Sequence, residues 1–195
     1  LDETECRLPC WSGITPGLTN STEALQRIGA NPDINQTSLQ QIGDSTNGAV
    51  TWNWLTPARR MLPGIVWHEG TVRRIELGVP NAIPLQESIA KLGEPEAVVA
   101  IMGGQPEHWY WIVTLYYPRK GVELSAYLPE FSDQLTEETP VEVVVLFEPV
   151  DLGQRIADKF TDPDVAALET RSVRPWRGFG SVVDLYNPED IGVHP

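Results

Sequence analysis

The chain has 195 residues, 41% of them hydrophobic, with seven Trp, five Tyr and four Phe beside 16 Gly and 17 Pro. That composition describes a folded core cut by many turns and excludes both disorder and a collagen-like chain. Its formal charge of −13 opposes phosphate backbones and anionic lipid surfaces, so nucleic acid is not an expected partner. The uncharged apolar-rich stretch of residues 109–117 falls well short of the ~20 residues a membrane helix requires, so no transmembrane segment is expected.

At the N-terminus, Cys6 and Cys10 flank Arg7-Leu8-Pro9. A turn there brings two Cα atoms within bridging range, and a disulfide is the first reading. A loop this short contributes roughly 2 kcal/mol of chain entropy, enough to pin the N-terminal segment rather than the whole fold. Zinc would need two further Cys or His ligands nearby, and a redox pair has two intervening residues rather than three. A disulfide, three lysines in all (Lys91, Lys120, Lys159) and a start other than Met together suggest a mature exported chain whose signal peptide has been removed. Asn20-Ser21-Thr22 and Asn35-Gln36-Thr37 match the glycosylation acceptor, a triplet common by chance.

Laid against itself at an offset of 64, the chain aligns residues 16–29 with residues 80–93. Pro16, Glu23 and Gly29 recur as Pro80, Glu87 and Gly93, and the apolar pair Leu25 and Ile28 recurs as Ile89 and Leu92. Each copy predicts a short amphipathic helix ending on a Gly cap, with Pro32 or Pro95 preventing continuation and the apolar pair buried against a sheet. A second short helix is predicted over residues 37–42. Strands follow over residues 49–55, with Val50, Trp52 and Trp54 on one side, and over 65–69 and 71–77 around Gly70. In the second half, strands are predicted over 98–102, 108–117, 122–128 and 141–147, with turns at Gly103-Gly104-Gln105-Pro106 and at Pro118-Arg119-Lys120-Gly121. Beyond Pro149, residues 151–160 place Leu152, Ile156 and Phe160 on one helix face, and Asp162-Pro163-Asp164 opens another helix. Residues 181–186 read as a strand. The fold class is therefore α+β: two tandem units, 1–78 and 79–149, each of one or two short helices followed by an antiparallel meander. A C-terminal tail, 150–195, packs on the second unit.

No nucleophile–base pair, metal-ligand cluster, Gly-rich phosphate loop or G-x-S-x-G elbow occurs, so neither catalytic nor cofactor-binding residues are nominated and no cofactor is expected. His68 and His108 fall in predicted strands and His194 near the C-terminus, too dispersed for shared chemistry. Asp162 and Asp164 read as a helix cap rather than a calcium loop. Glu137-Glu138 and Glu189-Asp190 read as solvated loop acids, and no group demands a raised pKa. From residue 122 to 170 there are twelve acids against Arg155 and Lys159, whereas Arg171, Arg174 and Arg177 crowd Trp176. Arg174, Trp176 and Arg177 form either a docking patch or a clasp between the tail and the acidic second unit. In His108-Trp109-Tyr110-Trp111, alternation sets Trp109 and Trp111 on one sheet face, where exposed rings could stack on a ligand.

The opening Leu8-Pro9-Cys10-Trp11-Ser12-Gly13-Ile14-Thr15-Pro16-Gly17 resembles that of a group of uncharacterised exported bacterial proteins beginning Pro-Cys-Trp-x-Gly-(Ile/Leu)-x-Pro-Gly. More broadly, the paired helix-plus-meander units, the second opened by Leu92-Gly93-Glu94-Pro95, resemble the β-lactamase inhibitory protein and the small lipoproteins of outer-membrane assembly. Those proteins bind other proteins and are not enzymes, but the resemblance carries over the fold alone; the absence of a catalytic set is what leads to the expectation of a non-enzymatic, extracytoplasmic protein that binds another protein or serves as a structural subunit of an envelope or extracellular assembly. The resemblance implies no particular target, because fold does not fix function. A small-molecule or glycan-binding module using exposed Trp is the alternative.

Overall fold

A computed structural model describes residues 6–56, 61–105, 107–160 and 162–186. It is mixed α+β. Eight strands form one antiparallel sheet ordered β1-β2-β3-β4-β9-β7-β6-β5, and a two-stranded pair, β10-β8, stands apart. The chain divides into two compact units. The first comprises Leu1–Asn81, Lys120–Val122 and Glu142–Pro149; the second comprises Ala82–Arg119, Glu123–Val141 and Val150–Pro195.

The first unit starts with a tight hairpin. Trp11 and Ile14 exchange both backbone hydrogen bonds, 3.0 and 2.8 Å, across Ser12 and Gly13 at φ 48° and 76°. Gly13 also leaves room for a neighbour, since a Cβ there would stand 1.6 Å from an Arg27 guanidinium nitrogen. Helix α1 (Ser21–Ala30) begins at Asn20, whose side-chain oxygen accepts from the Glu23 N–H at 2.8 Å. It buries Ser21, Ala24 and Ile28. Strands β1 (Ile34–Gly43), β2 (Gly48–Trp54), β3 (Gly64–His68) and β4 (Thr71–Pro84) follow as consecutive antiparallel neighbours. On β2 the alternation buries Val50 and Trp52 and half-buries Trp54. Trp11 stacks on Trp52 with centroids 5.6 Å apart, and Trp54 meets both rings edge-on. A cystine, Cys6 to Cys10 with sulfurs 2.01 Å apart, sits just before this hairpin.

The second unit runs α2 (Leu85–Leu92), β5 (Ala97–Gln105), β6 (His108–Tyr117), β7 (Val122–Tyr127, all but its first residue), β8 (Gln134–Leu135) and the start of β9 (Pro140–Phe147). Helices α3 (Leu152–Lys159) and α4 (Pro163–Ser172), the short β10 (Gly180–Ser181) and α5 (Val182–Tyr186) complete it. Asp151 and Asp162 cap α3 and α4 by accepting from Gln154 and Asp164 N–H groups. Ala97, Val99 and Tyr116 form a buried cluster, and Ile101, Leu152 and Val173 pack against it. After α4 the chain passes along β5, where Val98 and Arg174 exchange two backbone hydrogen bonds of 2.8 Å.

Several local expectations are corrected. Residues 37–42 lie within β1, not a helix: a bulge between Asn35 and Gln40 is held by Asn35 accepting from Thr37 and by Ser38 accepting from the Asn53 N–H. Residues 181–186 are mostly α5, because the Ser181 hydroxyl accepts from the Asp184 N–H and so caps a helix. Gly103 and Gly104 belong to β5 rather than a turn, and Pro106 lies outside the described residues. The two helices end differently. Gly93 closes α2 at φ 80°, whereas α1 continues through Gly29 to an extended Asn31. Their buried stripes differ too: only Ile28 of the expected quartet is buried, while Leu25, Ile89 and Leu92 are half-buried and α2 buries Leu85 and Ser88.

Candidate functional site

Surface aromatics gather where β6 begins. Across β5 and β6, Trp109 faces Gly104 and Trp111 faces Met102. Directly opposed residues share a face, so Met102 and both indoles line one side of the sheet end. Both Trp residues are half-buried and Met102 is 37% exposed.

The segment after β7 is tied to this end. The Leu128 N–H donates to the Trp111 carbonyl at 2.9 Å and the Phe131 N–H to the Trp109 carbonyl at 3.4 Å. His108 Nδ1 lies 3.0 Å from Glu130 Oε1. Within the segment, the Ser132 N–H donates to the Pro129 carbonyl at 3.0 Å, closing a turn whose third residue is Phe131 at φ 61°. A left-handed third position belongs to Gly or Asn, and a bulky residue held there costs about 1–3 kcal/mol. Phe131 is 81% exposed, so no burial of its ring offsets that strain. On the far side, the Asp133 carboxylate accepts from the Ser181 hydroxyl and the Gln134 amide, which together hold its pKa below the ordinary range. The Asp133 carbonyl accepts from the Val182 N–H at 2.8 Å. Phe131 is thus displayed from a loop fastened at both ends.

Beneath α3 and α4 lies a charged cluster absent from the sequence expectations. Arg155 Nε donates to Glu123 Oε1 at 2.6 Å, with both side chains at most 5% exposed. Lys159 Nζ lies 2.6 Å from Glu169 Oε1, 2.7 Å from the Tyr116 hydroxyl oxygen and 3.9 Å from Glu123 Oε2. The Tyr116 hydroxyl donates to the same Glu169 carboxylate oxygen. Two carboxylates and two cations neutralise one another, which is what makes burying them tolerable. Burial, then the charges of Glu123 and Glu169, push the Tyr116 pKa far above its ordinary value. The sequence reading found no group requiring a raised pKa; burial supplies one here. The cluster locks α3 and α4 to the sheet.

Trp176 is half-buried, its ring 5.4 Å from Phe179 at 90° and 6.2 Å from Tyr186 at 23°. Arg174 is half-buried, its guanidinium donating to the Arg171 and Val173 carbonyls, and Arg177 is exposed. His68 and His108 are both exposed, and Glu137 and Glu138 lie at the surface. His194, Glu189 and Asp190 lie outside the described residues. In the first unit a shallow cleft of about 370 Å³ is lined by Ser12, Arg27, Ala30, Asn31, Pro32 and Asp33. Its polar groups are engaged with one another or nearby, Arg27 with Glu23 and Asn31 with Ser12.

Among the described residues no three His, Cys, Asp or Glu are grouped to hold a metal, and no helix is long and apolar enough to cross a membrane. Phe131 escaped the sequence reading, although an aromatic inside Pro129-Glu130-Phe131-Ser132-Asp133, a run of turn-formers and acids, is the signal that marks it. No protein-family model, curated protein or solved structure matches the chain.

Proposed function

We propose that this chain is a non-enzymatic, extracytoplasmic protein that works by binding another protein, as a subunit of an envelope or extracellular assembly. One observation carries the reading: Met102, Trp109, Trp111 and Phe131 bring apolar surface to one end of β6 from a fastened framework. Clustered apolar surface of this kind marks association sites, and aromatics and Met are enriched in them. The most buried charged groups of the second unit neutralise one another, which supports a scaffold role over chemistry. A cystine suits an oxidising compartment, in keeping with export. The resemblance to exported Pro-Cys-Trp proteins, and an origin by duplication of a helix-plus-meander unit, belong to the same proposal. Both units do place a helix before consecutive antiparallel strands.

Stacking of a glycan or small molecule on Trp109 and Trp111 is the second reading, favoured by their half-exposed rings beside Met102. The two separate in one experiment. Wild-type protein and a Met102→Ser/Trp109→Ser variant are compared for stoichiometric retention of a defined protein from the source cells' envelope and for binding to a glycan array. Protein retention lost in the variant supports the proposal. Glycan binding lost in the variant supports the alternative, and neither activity in wild type overturns both.

A further inference from the structure

We propose that Phe131 is the anchor of this surface and that it enters an apolar pocket with a basic rim on the partner protein. The inference rests on the protein-binding reading and adds the residue and the chemistry of its target. Four observations converge on it. Phe131 is 81% exposed on a left-handed backbone that its side chain disfavours, so the fold presents the ring at a cost to itself. The turn is fastened by His108 to Glu130, by the Phe131 N–H to the Trp109 carbonyl and by Asp133 to Ser181, so the ring loses little freedom on binding. Half-buried Trp109 supplies the backbone that receives the turn, which places further aromatic surface beside the anchor. Finally, no Lys or Arg occurs between Lys120 and Arg155, while Glu130, Asp133, Glu137 and Glu138 surround Phe131 in the chain.

The charge carried by the turn and its flanks in the chain is therefore of one sign. An apolar pocket bordered by Lys and Arg is drawn to it and one bordered by carboxylates is repelled, so charge selects the partner while the ring supplies the affinity. An aromatic buried centrally and ringed by polar contacts is the usual form of an interface hot spot.

The test uses the whole disulfide-bonded chain with p-benzoylphenylalanine at position 131 or, in a control, at Leu18, which is 82% exposed in the first unit. The probe is the envelope extract of the source cells. Light should join position 131, and not position 18, to one discrete protein, with the crosslink in a segment rich in Lys and Arg beside apolar residues. With that protein purified, Phe131→Gly should weaken binding on the order of 30-fold. Its melting temperature should equal or exceed that of wild type, because Gly relieves the backbone and shows that the variant folds. Glu137→Gln/Glu138→Gln, which leaves the His108–Glu130 tie in place, should slow association and flatten its dependence on salt. The proposal is overturned by no crosslink, by equal crosslinking at both positions, by an acidic or uncharged rim, or by unchanged binding of Phe131→Gly. If Phe131→Gly binds normally while Met102→Ser/Trp109→Ser does not, the anchor is wrong and protein binding stands. If the wild type retains no discrete protein, both fall.

Discussion

Arg155 Nε lies 2.6 Å from Glu123 Oε1, and the two side chains, on α3 and β7, are among the most deeply buried charged groups described. Removing one partner leaves the other's buried charge incompletely compensated. Glu123→Leu or Arg155→Met alone should therefore cost about 3–5 kcal/mol, whereas the double substitution should cost much less than the sum. Urea unfolding of the four proteins gives the coupling energy directly. Additive losses would show that the pair is not the lock on α3.

Alkaline pH should destabilise the fold through its buried phenols. Burial, then nearby carboxylates, raises Tyr116; burial raises Tyr117 to about 12 and also raises Tyr186. The folded state holds these protons more tightly than the unfolded chain, so their contribution is complete below the unfolded value near 10 and declines as pH climbs beyond it. Melting temperature should be level from about pH 7 to 9 and fall from about pH 10. Tyr116 should ionise, read as tyrosinate absorbance, only as the protein unfolds.

Acid should act in the opposite sense at the loops. Backbone hydrogen bonds from Asn47 and Thr46 lower the Asp44 pKa, and the Ser181 and Gln134 side chains lower that of Asp133. Stability from these groups is present above the unfolded carboxylate value and is lost as pH falls through the folded one. Asp133→Asn should flatten the acid limb of the melting curve below about pH 4. An unchanged limb would mean that the Ser181 contact contributes nothing.

The indole cluster of the first unit should be the main store of stability there. Trp52 is 1% exposed and contacts both Trp11 and Trp54, so Trp52→Ala should cost roughly 3–5 kcal/mol. Trp11→Ala, on the partly exposed ring, should cost less and should free the segment that carries the cystine. Protease protection of residues 6–14 before and after the substitution checks this, and protection equal to wild type counts against it.

Trp176→Ala should lower thermal stability by about 1–3 kcal/mol, since two ring contacts at about 0.5–1.5 kcal/mol each are lost. Calorimetry of the variant decides between clasp and docking. Unchanged stability with weakened partner binding would assign the residue to docking instead.

Elements governed by neighbours in the chain were legible in the sequence. His108–Tyr117 is a continuous run rich in aromatic and β-branched residues bounded by Pro118, so β6 was readable end to end, and Asp151 and Asp162 announce the starts of α3 and α4 because capping is completed within three residues. The cystine was readable for the same reason, its loop being five residues long. What tertiary structure alone decided depends on groups far apart in sequence. Residues 37–42 could satisfy a helix or a strand, and pairing of Gln40–Gly43 with β2 settled the matter. Glu123 finds Arg155 across 32 positions and Tyr116 finds Glu169 across 53, distances over which no periodicity carries information. Phe131 shows the limit most plainly. Its residue type argues for burial, and only the closure of a turn against β6 turns it outward, because the backbone hydrogen bonds of that turn outweigh the preference of one side chain.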